Sequence, residues 1–158
     1  MISPELLRRY PFFAPFTSEQ LKQIAMISEE ATASAGEILF EECQPADSLY
    51  LLIEGSIDLF YTAKGKILPA EKKAQKELAV GEINPGEIFG ISALIDPYEL
   101  SASARASKPS RYIKINAPGL RKLFGENPIA GYLAMQQVSK ALMERLDYTR
   151  VQLAACWA

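Results

Sequence analysis

Between Ser34 and Ile115 the chain reads as short apolar–polar alternations cut by turn residues, with glycines at positions 36, 55, 86 and 90. Leu49, Leu51 and Ile53 alternate with Tyr50 and Leu52. Ile57, Leu59 and Tyr61 alternate with Asp58 and Phe60, and Glu54-Gly55-Ser56 between the two runs reads as a hairpin turn. Leu78 to Ile83, Ser101 to Ala106 and Arg111 to Ile115 are further strand candidates. Many short strands at regular spacing constrain the segment to a sandwich or barrel. One short helical turn is expected from Ala93 to Asp96, after the Gly-rich bend.

The flanks have a different period. Pro4 to Tyr10 reads as a short helix, broken by Pro11-Phe12-Phe13-Ala14-Pro15-Phe16, which supplies apolar anchors. Thr17-Ser18-Glu19-Gln20 fits a capping box, and Leu21, Ile24, Ala25 and Ile27 follow at helical spacing. Asn116-Ala117-Pro118 starts a helix that Gly125 is expected to end. Asn127-Pro128 starts another that runs to the C-terminus, roughly 45 Å if fully helical. On it Met135, Ser139, Leu142, Leu146, Thr149 and Leu153 are spaced by fours and threes, the spacing of a dimer seam. The first half of that stripe could instead pack on the barrel.

The 158 residues are enough for one domain with its own core, and 49% apolar residues is ordinary globular composition. No apolar run approaches the ~20 residues of a membrane span, and no secretory leader is visible, so a cytoplasmic protein is expected. Histidine is absent, which argues against a metal enzyme of the cupin type and against a haem sensor. Cys43 and Cys156 lie far apart and form no Cys-x-x-Cys pair, so no metal site is expected and both should be reduced thiols. The net charge is −2, and the lysine-dense stretch Lys64 to Lys76 also carries Glu71 and Glu77. It reads as a solvated hairpin loop rather than a polyanion site.

The glycines, Tyr50, the run Gly86-Glu87-Ile88-Phe89-Gly90 and the close at Arg105-Ala106 together resemble the cyclic-nucleotide-binding domain of the catabolite-activator-like (Crp/Fnr) superfamily. The resemblance covers nearly the whole chain. It implies a mainly β fold with flanking helices: a jelly-roll-like β-roll, or double-stranded β-helix, with N-terminal helices and a long C-terminal helix. The single domain 1–158 then divides into N-terminal helices at 1–33, a β-roll at 34–115 with the phosphate-binding cassette at 86–106, and C-terminal helices at 116–158. The chain stops where relatives that are transcription factors begin a helix-turn-helix, so it is expected to carry no DNA reader. The family often has Gly where this chain has Cys43, in a turn that favours positive φ.

In the family, cassette backbone N–H groups receive the cyclic phosphate, a buried Arg neutralises it, and a Glu accepts from the ribose hydroxyl. Here Ile91 stands at the Glu position and Leu100 at the Arg position. Losing those charge-assisted bonds removes roughly 4–9 kcal/mol, several orders of magnitude in affinity. Arg105 is read as serving the sheet. Arg150 on the last helix is the candidate replacement cation, and Thr149 falls near a family position that touches the base. The expected pocket is bounded by Val80, Gly81, Phe89, Gly90, Ile91, Leu100, Ser101 and Ala102. Ile91 and Leu100 would either fill the vacated space or make it fit a less polar ligand.

These readings point to a non-enzymatic regulatory or sensor module with cyclic nucleotide recognition weakened or lost and room for a different small molecule. No His-based catalytic set exists and no carboxylate pair stands in the matched pocket. Two alternatives stay open. One is a cyclic AMP or cyclic GMP signalling domain gripping the phosphate by backbone donors at Ser101 and Ala102, with no other cofactor implied. The other is a ligand-free interaction module. The expected partners are a second copy through the C-terminal helix and an effector protein, with no membrane involved.

Overall fold

The computed structural model describes residues 2–62 and 77–157; the Lys64 to Lys76 stretch lies outside them. Helix α1 spans Pro4–Arg8, with Pro4 in its first turn and the Ser3 hydroxyl accepting from the Glu5 N–H at 3.3 Å. A 3-10 turn follows at Pro11–Phe13. Helix α2 spans Ser18–Met26 and begins with the expected capping box. The Gln20 N–H donates to Thr17 Oγ1 at 3.2 Å, and the Thr17 N–H donates to Gln20 Oε1 at 2.9 Å. Leu21, Ile24 and Ala25 are its buried face.

Strands β1 (Ser28–Ala33), β2 (Ile38–Phe40), β3 (Ser48–Tyr61), β4 (Leu78–Ile83), β5 (Ile88–Phe89) and β6 (Ser103–Asn116) form one antiparallel sheet. Its order is β1-β6-β3-β4, with β2 on β6 and β5 on β3. Helices α3 (Ala117–Glu126) and α4 (Pro128–Trp157) close the chain. The fold class is the expected one: a β-roll between N-terminal helices and a long C-terminal helix.

Strand β3 is buried on both sides and separates two apolar clusters. Leu49 and Leu51 face an outer cluster with Leu7, Phe13, Leu21, Ile113, Ile115, Ala134 and Val138, where the flanking helices pack. Tyr50, Leu52, Ile57 and Leu59 face an inner cluster with Phe40, Phe89, Leu100, Ala104 and Ala106. Leu52 and Ile57 are an odd number of residues apart, so a regular strand would turn them to opposite faces. Irregular register against β6 between Leu52 and Ile57 restores the phase.

That irregularity corrects the reading of Glu54-Gly55-Ser56 as a hairpin turn: β3 runs through it as one strand. Gly55 has φ 105°, and a Cβ there would lie 2.6 Å from the Ser110 Cα on β6. The glycine therefore marks a bulge pressed against a neighbouring backbone. Other boundaries also move. The β-roll begins at Ser28, inside the segment read as helical to residue 33, because Glu29-Glu30-Ala31-Thr32 offers no large apolar residue to show a period of two. The strand read from Ser101 begins only at Ser103, and it and Arg111–Ile115 belong to the single strand β6, which runs on through Pro109. The helical turn lies at Ile91–Leu94, two residues early. Helix α3 passes Gly125 and ends at Glu126. Asn116 caps α3 as expected, its side chain accepting from the Gly119 N–H at 2.8 Å.

Cys43 adopts φ 70°, the left-handed conformation expected of that turn. Both Cys43 and Cys156 are exposed free thiols. On α4, Ala130, Ala134 and Val138 are buried, whereas Leu142, Leu146 and Leu153 are exposed. The first half of the helix thus packs on the domain, with Ala130, Ala134 and Val138 turned inward and Met135 of the predicted seam packed beside them.

Candidate functional site

The cassette leaves β5, turns at Gly90, makes the 3-10 turn Ile91–Leu94, and crosses an exposed loop to β6. Gly90 has φ 69°, and a Cβ there would stand 2.7 Å from Tyr50 Cδ2. The tyrosine ring therefore occupies the space that any other residue at position 90 would need. Arg121 of α3 holds the turn from behind, donating to the Ala93 carbonyl at 2.6 Å with its guanidinium 4.0 Å from the centre of the Tyr98 ring.

A solvent-open cavity of about 580 Å³ lies where the cassette, β3, β4 and α4 meet. Its apolar wall is Leu59, Val80, Ile91, Ile95, Pro97, Leu142 and Leu146, and its polar groups are Tyr61, Ser92, Asp96, Glu99, Ser101, Arg145 and Thr149, with Ala102 beside them. Of the residues expected from sequence, it brings together Val80, Ile91, Ser101, Ala102 and Thr149.

The others lie elsewhere. Gly81 lines an adjoining cavity of about 460 Å³ between β4 and α4. Phe89 is fully buried and stacks on Tyr50, ring centroids 5.0 Å apart, and Gly90 is covered by the same ring. Leu100 points into the inner cluster rather than into the cavity. Its backbone explains the direction. Leu100 N–H donates to the Gln44 carbonyl and its carbonyl accepts from the Cys43 N–H, both at 2.8 Å. That pairing holds the segment extended, so Leu100 and Ser101 turn to opposite sides. Arg150 is exposed and sits 3.7 Å from Asp147 one turn away, so it does not supply the cavity's cation. Arg105 serves the sheet, as expected: it holds Glu77 through two bonds of 2.7 and 2.8 Å and covers the Phe60 ring at 4.4 Å.

The cation in the cavity is Arg145, which sequence reasoning missed. Its Nη2 donates to the Ile88 carbonyl at 2.7 Å, tying α4 to β5 just ahead of the cassette. Burial lowers its pKa, and the charges of Glu87 and Glu144 act the other way. A guanidinium stays protonated regardless. Its signal was spacing: Arg145 stands one turn before Thr149, whose hydroxyl donates to the Arg145 carbonyl at 3.0 Å. Arg145 also lies three residues beyond Leu142, on the same helical face. Leu142 and Leu146, read as seam residues, line the cavity too. Among the described residues no group of three or more His, Cys, Asp or Glu side chains is placed to hold a metal ion.

Comparison with known proteins agrees with this architecture. The family model for the cyclic nucleotide-binding domain matches residues 30–127. A crystal structure of a protein from Geobacter metallireducens GS-15, described as cyclic nucleotide-binding, is 44% identical over 92% of this chain and 99% of that one, with a TM-score of 0.78. The sensor domain of the transcriptional regulator DNR from Pseudomonas aeruginosa shares the fold at 22% identity and a TM-score of 0.70, covering 90% of each chain. A Rhodopseudomonas palustris protein described as a potassium channel is 23% identical over 128 residues, and the chain spans 28% of its length. Among the described residues no helix is long and apolar enough to cross a membrane. With the family model covering more than half of its residues and the roll, cassette and C-terminal helix in place, the chain belongs to the cyclic nucleotide-binding domain family.

Proposed function

We propose that this domain is a non-enzymatic sensor module of the Crp/Fnr type whose cavity takes a small molecule less polar than a cyclic nucleotide. The observation that carries the reading is the opposite fate of two residues. Ile91 lines the 580 Å³ cavity, where the family has a ribose-binding carboxylate, and Leu100 is turned into the apolar core, where the family has a phosphate-binding Arg. A cyclic phosphate in this cavity lacks both partners, while Leu59, Val80, Ile91, Leu142 and Leu146 offer an apolar body a place to bury. The volume favours a ligand over a pocket closed by side chains.

Calorimetric titration with cyclic AMP and cyclic GMP to millimolar concentration tests the first half. No heat from the folded protein is the expected result, and micromolar binding overturns it. A thermal-shift screen tests the second half. A ligand present at 100 times its Kd stabilises the folded state by about 2.7 kcal/mol, and a broad metabolite panel that never moves the midpoint points to a ligand-free interaction module.

The distal half of α4 favours one addition. Val151, Leu153 and Trp157 are 70%, 59% and 84% exposed, a run of large apolar side chains with no cover among the described residues. We propose that a second copy covers them and that ligand occupancy reaches an effector protein through this helix. Sedimentation of L153E against the parent protein tests the pairing: the variant should be monomeric, and an unchanged dimer, or a monomeric parent, rejects it.

A further inference from the structure

We propose that the ligand is a monoanionic amphiphile, an apolar body ending in one carboxylate, and that Arg145 receives the carboxylate. This rests on the sensor reading of the same cavity and names the chemical class it selects.

Arg145 lines the cavity of about 580 Å³ and the adjoining one of about 460 Å³, so it stands at the wall between them. One of its five N–H donors is used, by the Ile88 carbonyl at 2.7 Å. Among the described residues no carboxylate lies within ion-pair distance of it, whereas Arg8, Arg105 and Arg150 each have one and Arg111 has two. A half-buried guanidinium with spare donors in an apolar cavity is an incomplete site, since a buried charge ordinarily takes a counter-ion. Glu87 and Glu144 favour its charged form from a distance, and burial opposes it.

The surrounding charges narrow the class. Glu82, Glu87 and Glu144 line the smaller cavity against one further cation, Lys140, so an anion approaching from that side meets a net excess of carboxylates. On the larger cavity Asp96 and Glu99 belong to the exposed cassette loop, whereas Ile91 is buried and Val80 partly buried. One negative charge can pair with Arg145 while an apolar body covers Leu59, Val80, Leu142 and Leu146. A second negative charge on the ligand would face Asp96 and Glu99, which disfavours dicarboxylates and phosphate monoesters.

The test uses octanoate, its neutral counterpart octan-1-ol, and suberate, titrated by calorimetry into the parent protein, R145Q and R145K. Octanoate should bind the parent more tightly than either probe. R145Q should lose about 10- to 100-fold for octanoate and leave octan-1-ol unchanged, the loss of one charge-assisted pair. R145K should recover part of the difference, and glutamine can still donate to the Ile88 carbonyl, so melting temperatures report whether either variant is misfolded. Equal binding of octanoate and octan-1-ol overturns the carboxylate assignment but leaves the apolar sensor reading standing. Tight cyclic AMP binding that depends on Arg145 overturns both. No binding of octanoate by the folded parent rejects the assignment.

Discussion

Arg121 and Ala93 join the last third of the chain to its cassette: the guanidinium donates to the Ala93 carbonyl at 2.6 Å and lies over the Tyr98 ring at 4.0 Å. Ala93 is fully buried, so its carbonyl has no easy access to water. R121A should lower stability by about 1–3 kcal/mol, the penalty for orphaning a buried acceptor. Thermal unfolding would then begin several degrees lower, and R121K should restore part of the loss. An unchanged midpoint for R121A would show that the bond contributes nothing net.

Gly55 and Gly125 should answer oppositely to the same substitution. G55A places a Cβ against the Ser110 backbone at φ 105°, and a loss on the order of 2–4 kcal/mol is expected. At Gly125 no atom lies within 4 Å of the added carbon, and the residue is inside α3. G125A should be neutral or stabilise by up to about 1 kcal/mol. Urea unfolding of the two variants decides the pair.

Leu100 is 7% exposed and packs in the inner cluster. L100A should cost about 2–5 kcal/mol. It should leave the Kd of any ligand of the larger cavity within about twofold, because Leu100 does not line that cavity. L100R, the residue the family resemblance leads one to expect there, should unfold the protein rather than restore phosphate binding, since it buries an unpaired charge among aromatic rings. A folded L100R that binds cyclic AMP would show that the loop can turn over.

Glu77 pairs with Arg105, whose hydrogen bonds hold the carboxyl pKa below its ordinary 4.5. A depressed folded-state pKa gives stability that is present above the unfolded value and lost as pH falls through the folded one. The urea midpoint of E77Q should therefore fall short of the parent's at pH 7 and converge with it as pH falls through the depressed carboxyl pKa. The pair is exposed, so the difference at pH 7 should be small and should shrink further in salt.

The sequence disclosed what repeats or caps and hid what depends on distant neighbours. The capping box at Thr17 and the Asn116 cap are local chemistry, and Leu78–Ile83 is a short run apolar enough to read as a strand; all three appear as expected. Ser28–Ala33 escaped because its strand character comes from six residues of pairing with β6, not from its own side chains. Gly55 looked like a turn because a bulge and a hairpin ask for the same residue, and the Ser110 backbone 55 positions away decides between them. At the site, Ile91, Ser101 and Ala102 could be placed by counting along the motif, and Val80 and Thr149 by the wider family resemblance. Leu100 could not, because its direction is set by pairing with Cys43 and Gln44. Arg145 lay outside the motif, and the fold brings it to the cavity through the path of α4.

The bond from Arg145 to the Ile88 carbonyl divides α4 unequally. Before it, Ala130, Ala134 and Val138 are wedged into the core; beyond it the helix runs twelve residues to Trp157, of which Leu146, Tyr148 and Thr149 still line the cavities. At 1.5 Å per residue that outer arm is about 18 Å long, so a tilt of about 10° at Arg145 would sweep Trp157 through roughly 3 Å. If the proposed ligand binds there, α4 would act as a lever with its fulcrum in the wall of the cavity, and a small molecule held at Arg145 would displace a surface far larger than itself.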